Sequence, residues 1–196
     1  MKSDMTIHTY GDPVLRRTAR PVSSVDDALR RTIDRMFTAM HKANGVGLAA
    51  QQVGLDIAVC VVEIPPDTDV ETEGGPRLNP DSLLRIALVN PKIVSTSDDV
   101  WSMSEGCLSF PGITGSVSRP WSVTVDFLDA AGASRRETFH GFLARAVQHE
   151  IDHLNAVLFT DHFSHVKKIA SRTKLKRLRD DTLARLAAAD PASPTT

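Results

Sequence analysis

Residues Gln148–Leu154 read QHEIDHL. Side chains at i and i+4 share one helix face, so His149 and His153 can present two imidazole nitrogens to one ion. Glu150 sits about 100° further round the helix, where it reaches a metal-bound water without ligating the metal. Helical spacing over Phe142–Leu154 makes this the central element around which the rest of the chain would be arranged. Two histidines on a partly exposed helix are the bland alternative, and Glu150 in an otherwise apolar run weighs against it. A metal site needs at least one more ligand, and that ligand decides the chemistry.

Downstream candidates are poor. A zinc protease of the H-E-x-x-H-x-x-G-x-x-H kind would place Gly and His where this chain has Ala156 and Phe159. No Glu follows Glu150, so proteases with a downstream Glu ligand are excluded. Asp161, His162 and His165 stay open. The better candidate is upstream, in SEGCLSFPG (Ser104–Gly112), where Cys107 lies in a loop-like stretch between Gly106 and Pro111-Gly112. Cys-His-His with one open position is a catalytic pattern, three protein ligands and a water, and its thiolate suits Fe(II) as well as Zn(II).

Elsewhere, Ser24–Ala43 reads as an amphipathic helix, with Ser24 and Asp27 resembling a capping pair. Its inward face is Leu29, Ile33, Met36, Phe37 and Met40, and Asn44-Gly45 is a stop signal. GVGLAAQQVG (Gly45–Gly54) follows. Its paired glycines let the backbone approach a ligand closely, although a tight turn after the helix explains them equally well. Strand patterns cover Ile57–Ile64, Leu83–Asn90, Lys92–Ser95, Val123–Leu128 and Ser134–His140, with DAAGA (Asp129–Ala133) as a hairpin turn. The polar stretch Pro65–Asp81 reads as a surface loop, and Phe163–Ala189 as a final helix before the tail PASPTT. Short antiparallel strands with helices at particular positions imply an α+β fold. Residues 1–165 would form one catalytic domain, and residues 166–196 a C-terminal helix with a short disordered tail.

Composition agrees with a soluble enzyme or binding domain of the cytosol. The chain has 196 residues, 41% hydrophobic and 24% charged, with a formal net charge of −1. No global field draws it to nucleic acid or acidic lipid, and no segment approaches the roughly 20 apolar residues of a membrane span. The N-terminal stretch does not read as a signal or transit peptide. Cys60, in the apolar run IAVCVVEI, reads as a buried hydrophobe, so no disulfide framework is expected.

Three stretches together closely resemble the peptide deformylases, enzymes that remove the formyl group from the N-terminal methionine of new polypeptides. The family pattern G-x-G-x-A-A-x-Q appears at Gly45–Gln52, E-G-C-L-S at Glu105–Ser109 and H-E-x-D-H at His149–His153. GDPVLRR (Gly11–Arg17) looks like the family's opening segment, and the resemblance runs over about residues 5–165. It implies one divalent metal, Fe(II) natively, with Zn(II), Ni(II) or Co(II) accepted, held by Cys107, His149 and His153. Metal-bound hydroxide would attack the formyl carbon, with Glu150 as general base and then acid. Gln52 and the backbone N–H of Leu108 would hold the carbonyl oxygen.

For the substrate, the resemblance implies a groove lined by Gly45, Val46, Gly47, Glu105, Gly106 and Phe142, where a formyl-methionyl peptide adds to a strand edge. Arg119 would support Glu105 or the substrate, and Asp152 would support a ligand histidine. Two positions depart from the pattern. Ala156 replaces a glycine common after the metal helix, which puts that turn in question. Arg145 stands where some relatives line the methionine pocket with an aliphatic residue, and would either narrow the pocket or send its head to solvent. The basic run Lys167, Lys168, Arg172, Lys174, Lys176, Arg177 and Arg179 reads as a solvated face. The resemblance also implies that this helix contacts the ribosome. Two other readings stay open: a metallo-amidohydrolase for another N-acyl group, and a ribosome-bound module without activity.

Overall fold

A computed structural model describes residues 5–189; the tail PASPTT lies outside them. The first helix, α1, spans Asp27–Lys42 and buries Leu29, Ile33, Met36, Phe37 and Met40, the expected face. Its cap differs from the sequence reading. Asp26, not Ser24, accepts the N–H of Leu29 at 2.8 Å, because the helix begins three residues later than expected and places Leu29 at the third position, where a cap bonds. Asn44 takes the left-handed conformation (φ 55°) that ends the helix.

Strands β1 (Gly47–Ala49), β2 (Val59–Glu63), β3 (Arg85–Thr96), β6 (Ser122–Leu128) and β7 (Ser134–His140) form a five-stranded sheet in the order β1-β2-β3-β6-β7, antiparallel throughout. β2 shows why its sequence is apolar at every position. Side chains alternate across a strand; Val59 and Val61 join the cluster under α1, while Cys60 and Val62 join the opposite cluster with Leu143 and Val147. Those last residues belong to α2 (Gly141–Leu154), so the sheet is sandwiched between α1 and α2. Cys60 is wholly buried, as expected for a small core hydrophobe.

The strands expected at Leu83–Asn90 and Lys92–Ser95 are one element, β3, with register shifts between Val89 and Lys92 and between Ile93 and Ser95. Pro91 cannot donate to the ladder and Asn90 sits at φ 53°, so the chain bulges without ending the strand. Asn90 holds the bulge by bonding both the N–H and the C=O of Val22 at 2.8 Å. The loop after β2 is pinned rather than loose. Asp69 and Asn79 are buried and bonded to one another, and Asn79 accepts the N–H of His140 at 2.9 Å, immediately before α2.

A second, two-stranded ribbon of β4 (Val100–Gly106) and β5 (Thr114–Pro120) was not legible in the sequence. The turn between its strands carries Cys107. Beneath the turn, Phe110 stacks on Tyr10 with ring centroids 4.9 Å apart and meets Phe159 edge-on at 5.0 Å. The last helix, α3 (His165–Ala189), lays Leu175 and Leu178 against this cluster. It also reaches the N-terminal segment, through the Thr182 hydroxyl on that of Thr9 at 2.7 Å.

Ala156 does not abolish the turn after α2. It adopts φ 61° in place of a glycine, and its N–H still bonds the carbonyl of His153 at 3.1 Å. Among the described residues no helix is long and apolar enough to cross a membrane.

Candidate active site

α2, β1 and the β4–β5 turn converge on one cleft of about 440 Å³. Gly45, Val46, Gly47, Gln52, Glu105, Gly106, Cys107, Leu108, Phe142, Arg145, His149 and Glu150 line it, with Asn44, Met103, Ser104 and Ala146 beside them. None of these last four carries a site signal in the sequence, where Asn44 reads only as a helix stop. Met103 and Ser104 lie on the unrecognised strand β4, and Ala146 carries no chemical signal of its own.

Cys107, His149 and His153 bring one thiol and two imidazole nitrogens within 4.8 Å of one another. Cys107 Sγ lies 3.3 Å from His153 Nε2. Bond lengths of ~2.3 Å to sulfur and ~2.0 Å to nitrogen in a tetrahedron would set donors roughly 3.5 Å apart, so the spacing fits one ion. The tautomer fits as well. His149 Nδ1 lies 3.1 Å from Glu105 Oε2, which leaves Nε2 for the cluster. His153 Nδ1 and Glu150 Oε2 are buried with no hydrogen-bond partner among the described residues. Burial pulls His149 down, yet Cys107 and Glu105 outweigh it and hold its pKa well above the usual value. A site that attracts a proton there also attracts a cation, and the two compete. Burial and the neighbouring His149 hold His153 well below its usual value, in the neutral form that ligates.

Asp161, His162 and His165 do not belong to this cluster. Asp161 accepts from Arg16 Nη2 at 2.9 Å, and His162 lies 2.8 Å from Asp152.

Glu150 is 4% exposed, and burial pushes its carboxyl up to about 7. Gly47 is what admits it. A Cβ at that position would stand 2.8 Å from Glu150 Cδ, where no real Cβ is found. The paired glycines therefore serve close approach, not merely a turn. Gln52 is buried. Its Oε1 accepts the N–H of Ala49 at 2.8 Å, while its Nε2 points at Cys107 Sγ (3.4 Å) and Ser109 Oγ (3.2 Å). The N-terminal segment ties these pieces together, since the N–H of His8 bonds the Gln52 carbonyl at 2.7 Å and that of Tyr10 the Ser109 carbonyl at 2.8 Å.

Around His149 lies a buried ionic network that was only partly foreseen. Arg119 is bidentate to Glu105, Nε to Oε1 at 2.7 Å and Nη2 to Oε2 at 3.1 Å. Its remaining nitrogen donates to Asp152 at 2.8 Å. Burial raises the Glu105 carboxyl, but its bonds to His149 and Arg119 prevail and hold it at about 2. Asp152 touches neither clustered histidine; it meets Arg119 and His162, one bond further out than expected. Glu105 holds the place expected of Asp152, because its strand faces the α2 turn that carries His149. Arg145 does not send its head to solvent. It is 3% exposed and donates to Glu105 and to the carbonyls of Trp101 and Val117.

A helix with H-E-x-x-H, one thiol as the third candidate donor and a buried carboxylate lining the same cleft define the class: a hydrolase with a candidate metal site on an α+β scaffold. The family follows from the comparisons. The polypeptide deformylase model matches residues 5–169, and the chain belongs to that family. It is 38% identical over 171 residues to the peptide deformylase of Flavobacterium johnsoniae, covering 87% of each chain. The crystal structure of Arabidopsis thaliana peptide deformylase 1B with an inhibitor superposes at TM-score 0.79 and 37% identity, over 92% of this chain and 93% of that one. The Synechococcus elongatus peptide deformylase in complex with actinonin gives TM-score 0.73 and 37% identity, over 93% and 88%. The chain is an amidohydrolase of this family, with the α+β fold read from its sequence.

Proposed function

We propose that this enzyme removes the formyl group from the N-terminal formyl-methionine of newly made polypeptides and releases formate. The observation that carries the reading is Glu150, a buried carboxylate admitted by Gly47 and seated beside the Cys107–His149–His153 cluster in one cleft. Those three residues would hold one divalent ion, natively Fe(II), with Zn(II), Ni(II) or Co(II) able to substitute. The ion would polarise the formyl carbonyl and acidify a water near neutral pH.

The protein's own groups do the rest. Glu150 takes a proton from the attacking water and passes it to the amine as the C–N bond breaks, leaving formate and a free α-amino group. A pKa of about 7 suits both halves of that task. The amide of Gln52 and the N–H of Leu108 would donate to the carbonyl oxygen. β1 is an edge strand, and the segment Gly45–Gly47 that leads into it lines the cleft together with Met103–Gly106 of β4, a geometry suited to an extended peptide adding by main-chain bonds. Val46, Met103 and Phe142 offer apolar contact to the methionine side chain. We also read residues 1–165 as one catalytic domain acting in the cytoplasm, with the basic face of α3 as a ribosome contact whose strength would fall with salt.

The test is formate release from a formyl-Met tripeptide by protein purified without oxygen and loaded with Fe(II), beside Glu150→Ala. Release by the wild type alone, with acetyl-Met peptide untouched, is the expected result. No release from protein holding one metal per chain overturns the formyl-peptide reading, and cleavage of the acetyl peptide would redirect it to other N-acyl groups.

A further inference from the structure

Arg145 poses a physical problem. It is buried at 3% exposure, and its Nε has no hydrogen-bond partner among the described residues. Burying a guanidinium with an unpaired donor is costly, and an apolar side chain of similar volume is often the more stable choice. Nor is Arg145 needed to neutralise Glu105, which Arg119 already grips through both oxygens.

What Arg145 does instead is join elements, holding both strands of one ribbon from α2. The β4–β5 ribbon lies outside the five-stranded sheet, so no sheet ladder fixes its distance from α2. From α2, Arg145 reaches the Trp101 carbonyl on β4 and the Val117 carbonyl on β5, at 3.0 Å for the latter, as well as Glu105 on β4. The other side-chain bonds from α2 each reach one strand only: Gln148 to the Pro120 carbonyl and Asp152 to Arg119 on β5, and His149 to Glu105 on β4. Cys107 follows directly on β4, while His149 stands one helical turn beyond Arg145 on the same face.

We infer that Arg145 is a positioning residue: it staples the ribbon that carries Cys107 to the helix that carries His149, and so sets the gap between the thiol and imidazole donors. The inference rests on the reading of Cys107, His149 and His153 as a metal site. A planar fork with several donors can span two carbonyls and a carboxylate, whereas a lysine ammonium on a flexible stem cannot hold the same three acceptors.

The experiment compares wild type, Arg145→Lys and Arg145→Met as cobalt-substituted proteins. Co(II) affinity is read by competition, the cobalt–thiolate absorption band is recorded, and kcat and KM are measured separately. The expected result is a Co(II) dissociation constant raised 10–100-fold in both variants, as for other groups that orient metal ligands. The thiolate band should weaken and kcat should fall, with KM within roughly threefold of wild type. Arg145→Lys keeps the charge and remains informative if Arg145→Met does not fold. Full rescue by lysine overturns the inference, since charge alone would then suffice. Unchanged cobalt binding with a raised KM also overturns it and makes Arg145 a substrate contact. Absence of a cobalt–thiolate band in the wild type removes the metal-site reading itself, a different failure from variants that match a wild type showing the band.

Discussion

Replacing Gly47 by alanine isolates Glu150 without touching it. Gly47 is extended in β1, so alanine adds no backbone strain there, and its Val62 partner on β2 is undisturbed. The new Cβ would stand 2.8 Å from Glu150 Cδ and 2.9 Å from Cγ, where ordinary contact begins at 3.4 Å. The carboxyl carbon must then retreat by at least 0.6 Å (3.4 minus 2.8), and Oε1, which stands nearer still, by more, into the cleft that Glu150 lines. Displacement of a reacting group by 1 Å can cost about 10²-fold in rate. A shift of this size should therefore lower kcat by about 10–10²-fold, with Glu150→Ala as the outer limit at about 10²–10⁴. Stability should fall by the ~1–3 kcal/mol of a mild overpacking. The assay is formate release under saturating peptide, with metal content and thermal midpoint measured on the same samples. Gly45→Ala is the matched control, because its Cβ meets the flexible tip of Leu108 at 2.7 Å and should act on KM more than on kcat. A folded, metal-loaded Gly47→Ala protein with wild-type kcat would refute the placement of Glu150 as the proton carrier.

Three further expectations bear on other parts of the molecule. Gln52→Leu should lower kcat by about 10²–10³, the usual effect of losing one oxyanion donor, with metal content retained; single-turnover formate release checks it. Ala156→Gly should raise stability by about 1 kcal/mol, since the residue sits at φ 61° and glycine carries no left-handed penalty; an unchanged or lower urea midpoint contradicts this. Burial notwithstanding, the bonds from His149 and Arg119 hold the Glu105 carboxyl at about 2, against 4.5 when free, so its charge contributes about 3 kcal/mol above pH 4.5, and the contribution is lost as pH falls toward 2. Urea unfolding of metal-free protein should therefore show Glu105→Gln well below wild type at pH 7 and converging with it near pH 2; a constant gap would rule out that assignment.

The parts of the fold legible in sequence are those where one physical signal dominates. α2 combines helical spacing with an i, i+4 histidine pair, and β6 and α1 follow plain alternation or an apolar stripe, so their inward faces are readable. Edges were less so. Asp26, Asp27 and Ser24 are all competent caps, and only the true helix start selects among them. The ribbon was invisible for a different reason. Its more buried rows are Trp101, Met103 and Glu105 on β4, and Gly115, Val117 and Arg119 on β5. Glycine and two charges in those rows erase the period-two hydrophobic pattern.

Each of those exceptions has a local cause. Gly115 leaves room for the Phe163 ring, Glu105 orients His149, and Arg119 holds Glu105. The local sequence rules thus fail where the ribbon meets the candidate metal cluster, as expected when a fold gives up local consistency to build a site. The same logic applies to Asp152 and Arg145. Read along the chain, each is a charged helix residue with no visible partner nearby. Their partners lie 33 and 40 residues away on the ribbon, and only folding the ribbon onto α2 turns scattered surface-type charges into one buried network behind His149.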